Sequence, residues 1–113
     1  MRMRTLSATL LVAFTTAVLV SATLVAPAHG ATMKTWSRLA KCESGGRWHI
    51  NTGNGYYGGL QISPSTWRGY GGKKYAKLPH HASKKQQIKV AERIKRGQGW
   101  GAWGSCSSRL GLR

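Results

Sequence analysis

Glu43 is one of only two acidic side chains in this 113-residue sequence. It opens a segment, Cys42 to Ser63, that gathers six glycines, three aromatics and the neutral polar side chains Asn51, Thr52, Asn54 and Gln61. Placed at the end of a helix, a carboxylate faces the negative end of the macrodipole, where its charge is disfavoured. Partial burial acts in the same direction, so Glu43 is expected to hold its proton above the usual range, as a general acid must. The bland alternative is a solvent-exposed Glu43 paired with Lys41 or Arg47. Downstream, glycines let another chain approach the backbone, amides and hydroxyls offer neutral hydrogen bonds, and Trp48, Tyr56 and Tyr57 present flat faces with a polar edge. Those groups suit a sugar. The competing reading is an ordinary hairpin whose aromatics fill a small core.

The elements that must position these groups are legible from periodicity. Trp36, Leu39 and Ala40 recur at helical spacing, which predicts an amphipathic helix from Lys34 to about Cys42, with Glu43 one step further along its apolar face. Ser44, Gly45 and Gly46 end it. Asn54-Gly55 and Gly58-Gly59 punctuate Trp48 to Ile62 as a short β-hairpin. Ser63-Pro64 reads as a helix start with the proline at the first position, and Gly69 to His81 as a basic loop. Ser83-Lys84-Lys85-Gln86 fits a capping box that opens a helix ending near Arg96, before Gly97. Its buried face is Ile88, Ala91 and Ile94, while Lys85, Lys89, Arg93 and Arg96 form a positive stripe. Glu92 has ion-pair spacing to Lys89 and Arg96, and could alternatively be the second carboxylate of a two-carboxylate glycosidase. Trp36 and Trp103 are assigned to the core; the adjacent His80 and His81 are expected in solvent.

Arg2 and Arg4 precede an uncharged run from Leu6 to Val25, followed by Ala26-Pro27-Ala28, the pattern of a secretory signal spanning 1–28, with cleavage as late as Ala31. An uncleaved membrane anchor competes with that reading, but the run is diluted by serine and threonine. Roughly 85 residues then remain for one domain, 32–113, with a core too small to be comfortable alone. In an exported protein the two cysteines, Cys42 and Cys106, imply one disulfide across most of that domain. They lack zinc-ligand spacing, and no metal or cofactor is expected. The net charge is +16, and +14 once Arg2 and Arg4 leave with the signal. Such a surface is drawn to polyanions. Export disfavours nucleic acid as the working partner, so anionic wall polymers are the candidates.

The motifs C-E-S-G-G at 42–46, N-T-G-N-G-Y-Y-G-G-L-Q-I-S at 51–63, S-T-W at 65–67 and Q-G-W-G-A-W at 98–103 with Cys106 resemble the transglycosylase-like domain of actinobacterial resuscitation-promoting factors. The resemblance covers nearly all of Thr35 to Leu112. It implies a small lysozyme-like α+β domain, mostly helical with a short hairpin and one disulfide. It further implies cleavage of the β-1,4 bond between MurNAc and GlcNAc in peptidoglycan. Glu43 takes the position of the family's catalytic glutamate, Gln61, Thr66 and Gln98 those of groove residues, and Cys42 and Cys106 those of its disulfide. Tyr57 and Trp48 are added as groove candidates for their aromatic faces. Two features depart from the family pattern: the lysine-rich 73–85 segment, and Gly104 where proline is common. The resulting expectation is a monomeric, secreted or wall-associated muralytic glycosidase, hydrolytic or 1,6-anhydro-forming. The alternative is a cationic, non-catalytic protein that binds wall or membrane.

Overall fold

The computed structural model describes residues 31–113, so the expected export signal, 1–28, lies outside the described residues. Four α-helices carry the fold: α1 (Met33–Ser44), α2 (Pro64–Gly69), α3 (Lys84–Gln98) and α4 (Gly104–Arg109). Single 3-10 turns at Gly72–Lys74, Pro79–His81 and Trp100–Trp103 connect them. Among the described residues no helix is long and apolar enough to cross a membrane.

The first three helices begin where the sequence supplies a cap. Thr32, Ser63 and Ser83 accept from the backbone N–H three residues on, and Gln86 returns a bond to Ser83 to complete the capping box. α1 ends at Gly45, whose left-handed φ of 71° turns its N–H back onto the carbonyls of Ala40 and Lys41. Two boundaries move outward from the sequence-based ones. α1 continues to Ser44, taking Glu43 into its last turn, and α3 continues through Gly97 to Gln98 before Gly99 caps it. Gly104, in place of a proline, adopts helical dihedrals as the first residue of α4.

Trp36, Leu39 and Ala40 of α1 meet Trp67 of α2, Val90, Ala91 and Ile94 of α3, and Trp103 in one core, with Leu60 and Ile62 inserted from the intervening loop. All three buried indoles find acceptors, as buried N–H groups must. Trp36 donates to Glu92 Oε2 at 2.8 Å, Trp67 to the Ala76 carbonyl at 2.8 Å, and Trp103 to the Leu60 carbonyl at 2.9 Å. The Cys42–Cys106 disulfide, with Cα atoms 5.8 Å apart, ties the end of α1 to α4.

The expected β-hairpin does not form, and the described residues are helical rather than α+β. Between Trp48 and Ile62 there are only two isolated antiparallel bridges, Asn51 with Tyr57 and Tyr57 with Ile62. The reason is local. Asn51 and Asn54 each accept from the backbone N–H two residues ahead, at 3.0 Å in both cases, and these turns take the backbone away from a ladder. Three further expectations change. Glu92 pairs with Lys95 at 3.8 Å, not with Lys89 or Arg96, because its carboxylate leans toward Trp36. His80 and His81 lie on a 3-10 turn where their rings meet at 3.9 Å, and His80 also stacks on Tyr57 at 5.1 Å. His81 is exposed, but His80 is half-buried, and burial first, then His81 and His49, lowers its pKa. Arg93 leaves the solvent stripe to donate to the Tyr70 carbonyl.

Gln87, which has no exposed surface, fixes the irregular loop to α3. Its Oε1 accepts from the Gly59 N–H at 3.0 Å, and its Nε2 donates to the carbonyls of Trp48 and Ala82 at 2.7 and 3.0 Å. Gly59 has to be glycine because the Trp48 ring lies where a side chain would begin. Replacing Gln87 by leucine strands three buried backbone groups, which should cost about 3 kcal/mol or more in urea denaturation. A loss under about 1 kcal/mol would show that the loop does not depend on it. The disulfide closes a 64-residue separation. The double Cys42→Ser, Cys106→Ser chain should therefore lose about 4 kcal/mol in the same assay, and an unchanged midpoint would contradict that assignment.

Candidate active site

Helical spacing puts Glu43 on the side of α1 that also bears Trp36, Leu39 and Ala40, but a turn beyond the fully buried residues. It is half-buried at the edge of an open cavity of about 390 Å³, lined also by Asn54, Tyr56, Gln61, Ala102, Trp103, Gly104 and Ser105. A smaller cavity of about 70 Å³ continues from it, sharing Tyr56, Gln61, Ala102 and Trp103 and adding Ser63, Thr66 and Gln98. The two form one trough with Glu43 at one end and Thr66 and Gln98 at the other. The nearly buried Trp103 closes its floor, and its walls mix neutral amides and hydroxyls with the aliphatic side chains of Ile62 and Ile94.

Withdrawal from water raises the Glu43 pKa above its ordinary 4.5, while the Arg109 guanidinium draws it partly back. The ion pair with Lys41 or Arg47 is not formed. Arg47 instead donates from Nε to the Ser44 carbonyl at 2.7 Å, and the one ion pair within 4 Å among the described residues is Lys95 with Glu92. Glu92 lines neither cavity.

Gln61 shows the strongest local constraint. Among the described residues it is the only non-glycine with positive φ, at 53°, a conformation that costs a residue bearing a Cβ. Its side chain is held from both sides: Nε2 donates to the Gly58 carbonyl at 3.1 Å, and Oε1 accepts from Asn54 at 3.3 Å. Strain retained at a cleft wall is a mark of function.

The structure thus brings Glu43, Gln61, Thr66 and Gln98 to one trough, and does not bring Trp48 or Tyr57 there. Trp48 packs on Gly59 with the Lys84 ammonium 5.4 Å over its ring, and Tyr57 faces His80. Tyr56, half-exposed, takes the wall position instead. In a Tyr-Tyr pair, backbone alternation decides which ring faces the cleft, and only the bridges of Tyr57 settle it. Arg109 was also missed, although the spacing contained it: Arg109 is three residues after Cys106, on one face of a helix, and Cys106 is bonded to the neighbour of Glu43.

Residues 30–106 match the model of the transglycosylase-like domain. This chain belongs to that family. It is 57% identical over 105 residues to resuscitation-promoting factor Rpf1 of Corynebacterium glutamicum, covering 92% of this chain and 54% of that protein. To resuscitation-promoting factor Rpf of Micrococcus luteus it is 59% identical over 87 residues, covering 77% and 38%. To RpfA of Mycobacterium tuberculosis it is 50% identical over 101 residues, covering 88% and 25%. The transglycosylase-like chain therefore spans about half or less of the length of these relatives.

The raised pKa has a consequence for stability. Below pH 4.5 the carboxyl is protonated in the folded and unfolded chain alike, and nothing is lost. As pH rises through the folded-state pKa, the folded protein must hold a charge withdrawn from water, and stability falls. The neutral Glu43→Gln chain should melt higher than wild type at pH 7, with the difference vanishing below pH 4.5. A wild type more stable than the variant at pH 7 would mean the carboxylate is favourably solvated.

Proposed function

We propose that this protein is a secreted glycosidase that cuts the β-1,4 bond between MurNAc and GlcNAc in peptidoglycan, with Glu43 as its one catalytic carboxylate, on a lysozyme-like domain comprising residues 32–113. The observation that carries this reading is a proton-holding acid at the end of a neutral, aromatic-floored trough, in a chain of the transglycosylase-like family. Protonated Glu43 gives its proton to the glycosidic oxygen as the bond to the MurNAc anomeric carbon breaks, and positive charge develops on that carbon. The Glu43 carboxylate then accepts a proton from the incoming oxygen. If that oxygen is water the product is a reducing end; if it is the same sugar's 6-hydroxyl the product is the 1,6-anhydro sugar. Glu92, engaged with Trp36 and Lys95, is not available as a second acid or base, which favours the single-carboxylate route.

Tyr56, Gln61, Thr66 and Gln98 hold the glycan: the exposed Tyr56 ring offers an apolar face, and the amides and hydroxyl offer bonds that do not compete for charge, over a floor closed by the nearly buried Trp103. The domain acts as a monomer after removal of the signal at 1–28, without a cofactor, and its cellular role is wall remodelling that serves the resuscitation for which its relatives are named. Purified cell walls should be cleared by the wild-type chain and cleared at least about a hundredfold more slowly by Glu43→Gln. Wild-type activity should fall as pH climbs past the Glu43 pKa, because the protonated form is the active one. Mass analysis of the released muropeptides distinguishes reducing from anhydro ends. Equal clearing by both proteins would remove Glu43 from the mechanism, and binding with no released fragments would replace this reading with a cationic wall-binding protein.

A further inference from the structure

The side of α1 that faces away from the trough carries three cations, of which only Lys41, in the last turn, is favoured by the helix dipole, and none of which is ion-paired among the described residues. Lys34, Arg38 and Lys41 are spaced by four and three residues and project together, opposite Trp36, Leu39, Ala40 and Glu43. With Ser37 and with Leu110, from the end of α4, they line a shallow groove of about 380 Å³ whose floor is apolar. Like charges at these spacings repel one another. Lys34 also stands in the first turn, where the positive end of the helix disfavours a cation, and that turn contains no acid. Neither described carboxylate relieves them, since Glu43 lines the trough and Glu92 serves Trp36 and Lys95. The sequence therefore sets three cations beside one another around an apolar floor, with no carboxylate among them to offset their repulsion.

We propose that this groove binds a phosphodiester polymer with aliphatic spacers, the chemistry of polyol-phosphate chains. Three cations along about 10 Å of helix axis, at 1.5 Å rise per residue, can follow successive phosphates. Leu110 and the methylene stems of the lysines and arginine accept the carbon spacers between them. The same lining disfavours nucleic acid, because it offers no aromatic face on which a base could stack. A polymer seated here lies behind α1 and leaves the trough free. Its use as a tether to a bacterial wall rests on the glycosidase reading above, whereas the binding does not.

The test is calorimetric titration of the full chain with deacylated poly(glycerol phosphate) at two salt concentrations. The triple variant Lys34→Gln, Arg38→Gln, Lys41→Gln is compared with a charge-matched triple on α3, Lys85→Gln, Lys89→Gln, Arg96→Gln. The α1 variant should bind at least about tenfold more weakly and with a shallower salt dependence, and the α3 variant less than about threefold more weakly. Equal losses in both would overturn the proposal, leaving net charge without a site. An oligothymidylate that binds the wild type as tightly, and loses as much with the α1 variant, would overturn it in favour of nucleic acid. Neutral oligosaccharide cleavage by the α1 variant should match wild type. Because the titration does not depend on cleavage, a chain that cuts no glycan but shows the α1-specific loss would refute the glycosidase reading and sustain the groove.

Discussion

The covalent bond between Cys42 and Cys106 sets the position of Glu43, the end of the trough on which the chemistry depends. It holds the last turn of α1 against α4, so that Glu43 faces Gly104 and Ser105 across a cavity instead of facing open water. In a domain with so small a core, a cross-link between segments distant in sequence removes much of the freedom of the unfolded chain. The same bond brings Arg109 close enough to Glu43 to oppose the effect of burial. The acidity of the site is thus a balance between withdrawal from water and the Arg109 cation, and both depend on how α4 is tied to α1.

The remainder of the trough is built from neutral bonds. Gln87 carries the irregular loop on α3, Trp103 fixes Leu60 through its indole, and Asn54 holds Gln61 in a backbone conformation it would not choose. Glu92 could have been a second charge in this region, but is committed to the Trp36 indole and Lys95. Charge is instead kept on the outer surfaces. The neutral trough and the strongly basic exterior therefore lie on different sides of one small domain and do not compete.

Much of this was legible in the sequence because it depends on local rules. Ser63-Pro64 and Ser83 with Gln86 announced two helices, the spacing of Trp36, Leu39 and Ala40 announced a third, and together with the glycines after Ser44 they placed Glu43 at a helix end. Residue types alone did not separate a hairpin from a bridged loop, because Asn-Gly pairs serve both, and the outcome turned on side-chain bonds from Asn51 and Asn54. Aromatic type likewise did not say which rings reach the trough: Trp48 and Tyr57 turn to Gly59 and His80, and Tyr56 takes the wall. The role of Gln87 was invisible because a buried glutamine at a helical position looks like any surface one until its backbone partners arrive from elsewhere in the chain.

The central claim is that Glu43 keeps its proton because the fold withdraws it from water. Direct titration of the Glu43 side-chain carboxyl carbon by NMR, on the disulfide-bonded chain, tests this without any substrate. The midpoint should lie above the ordinary 4.5 and move further up when Arg109 is replaced by glutamine. A midpoint at or below 4.5 would contradict it, since the carboxyl would then be as well solvated in the folded protein as in a peptide.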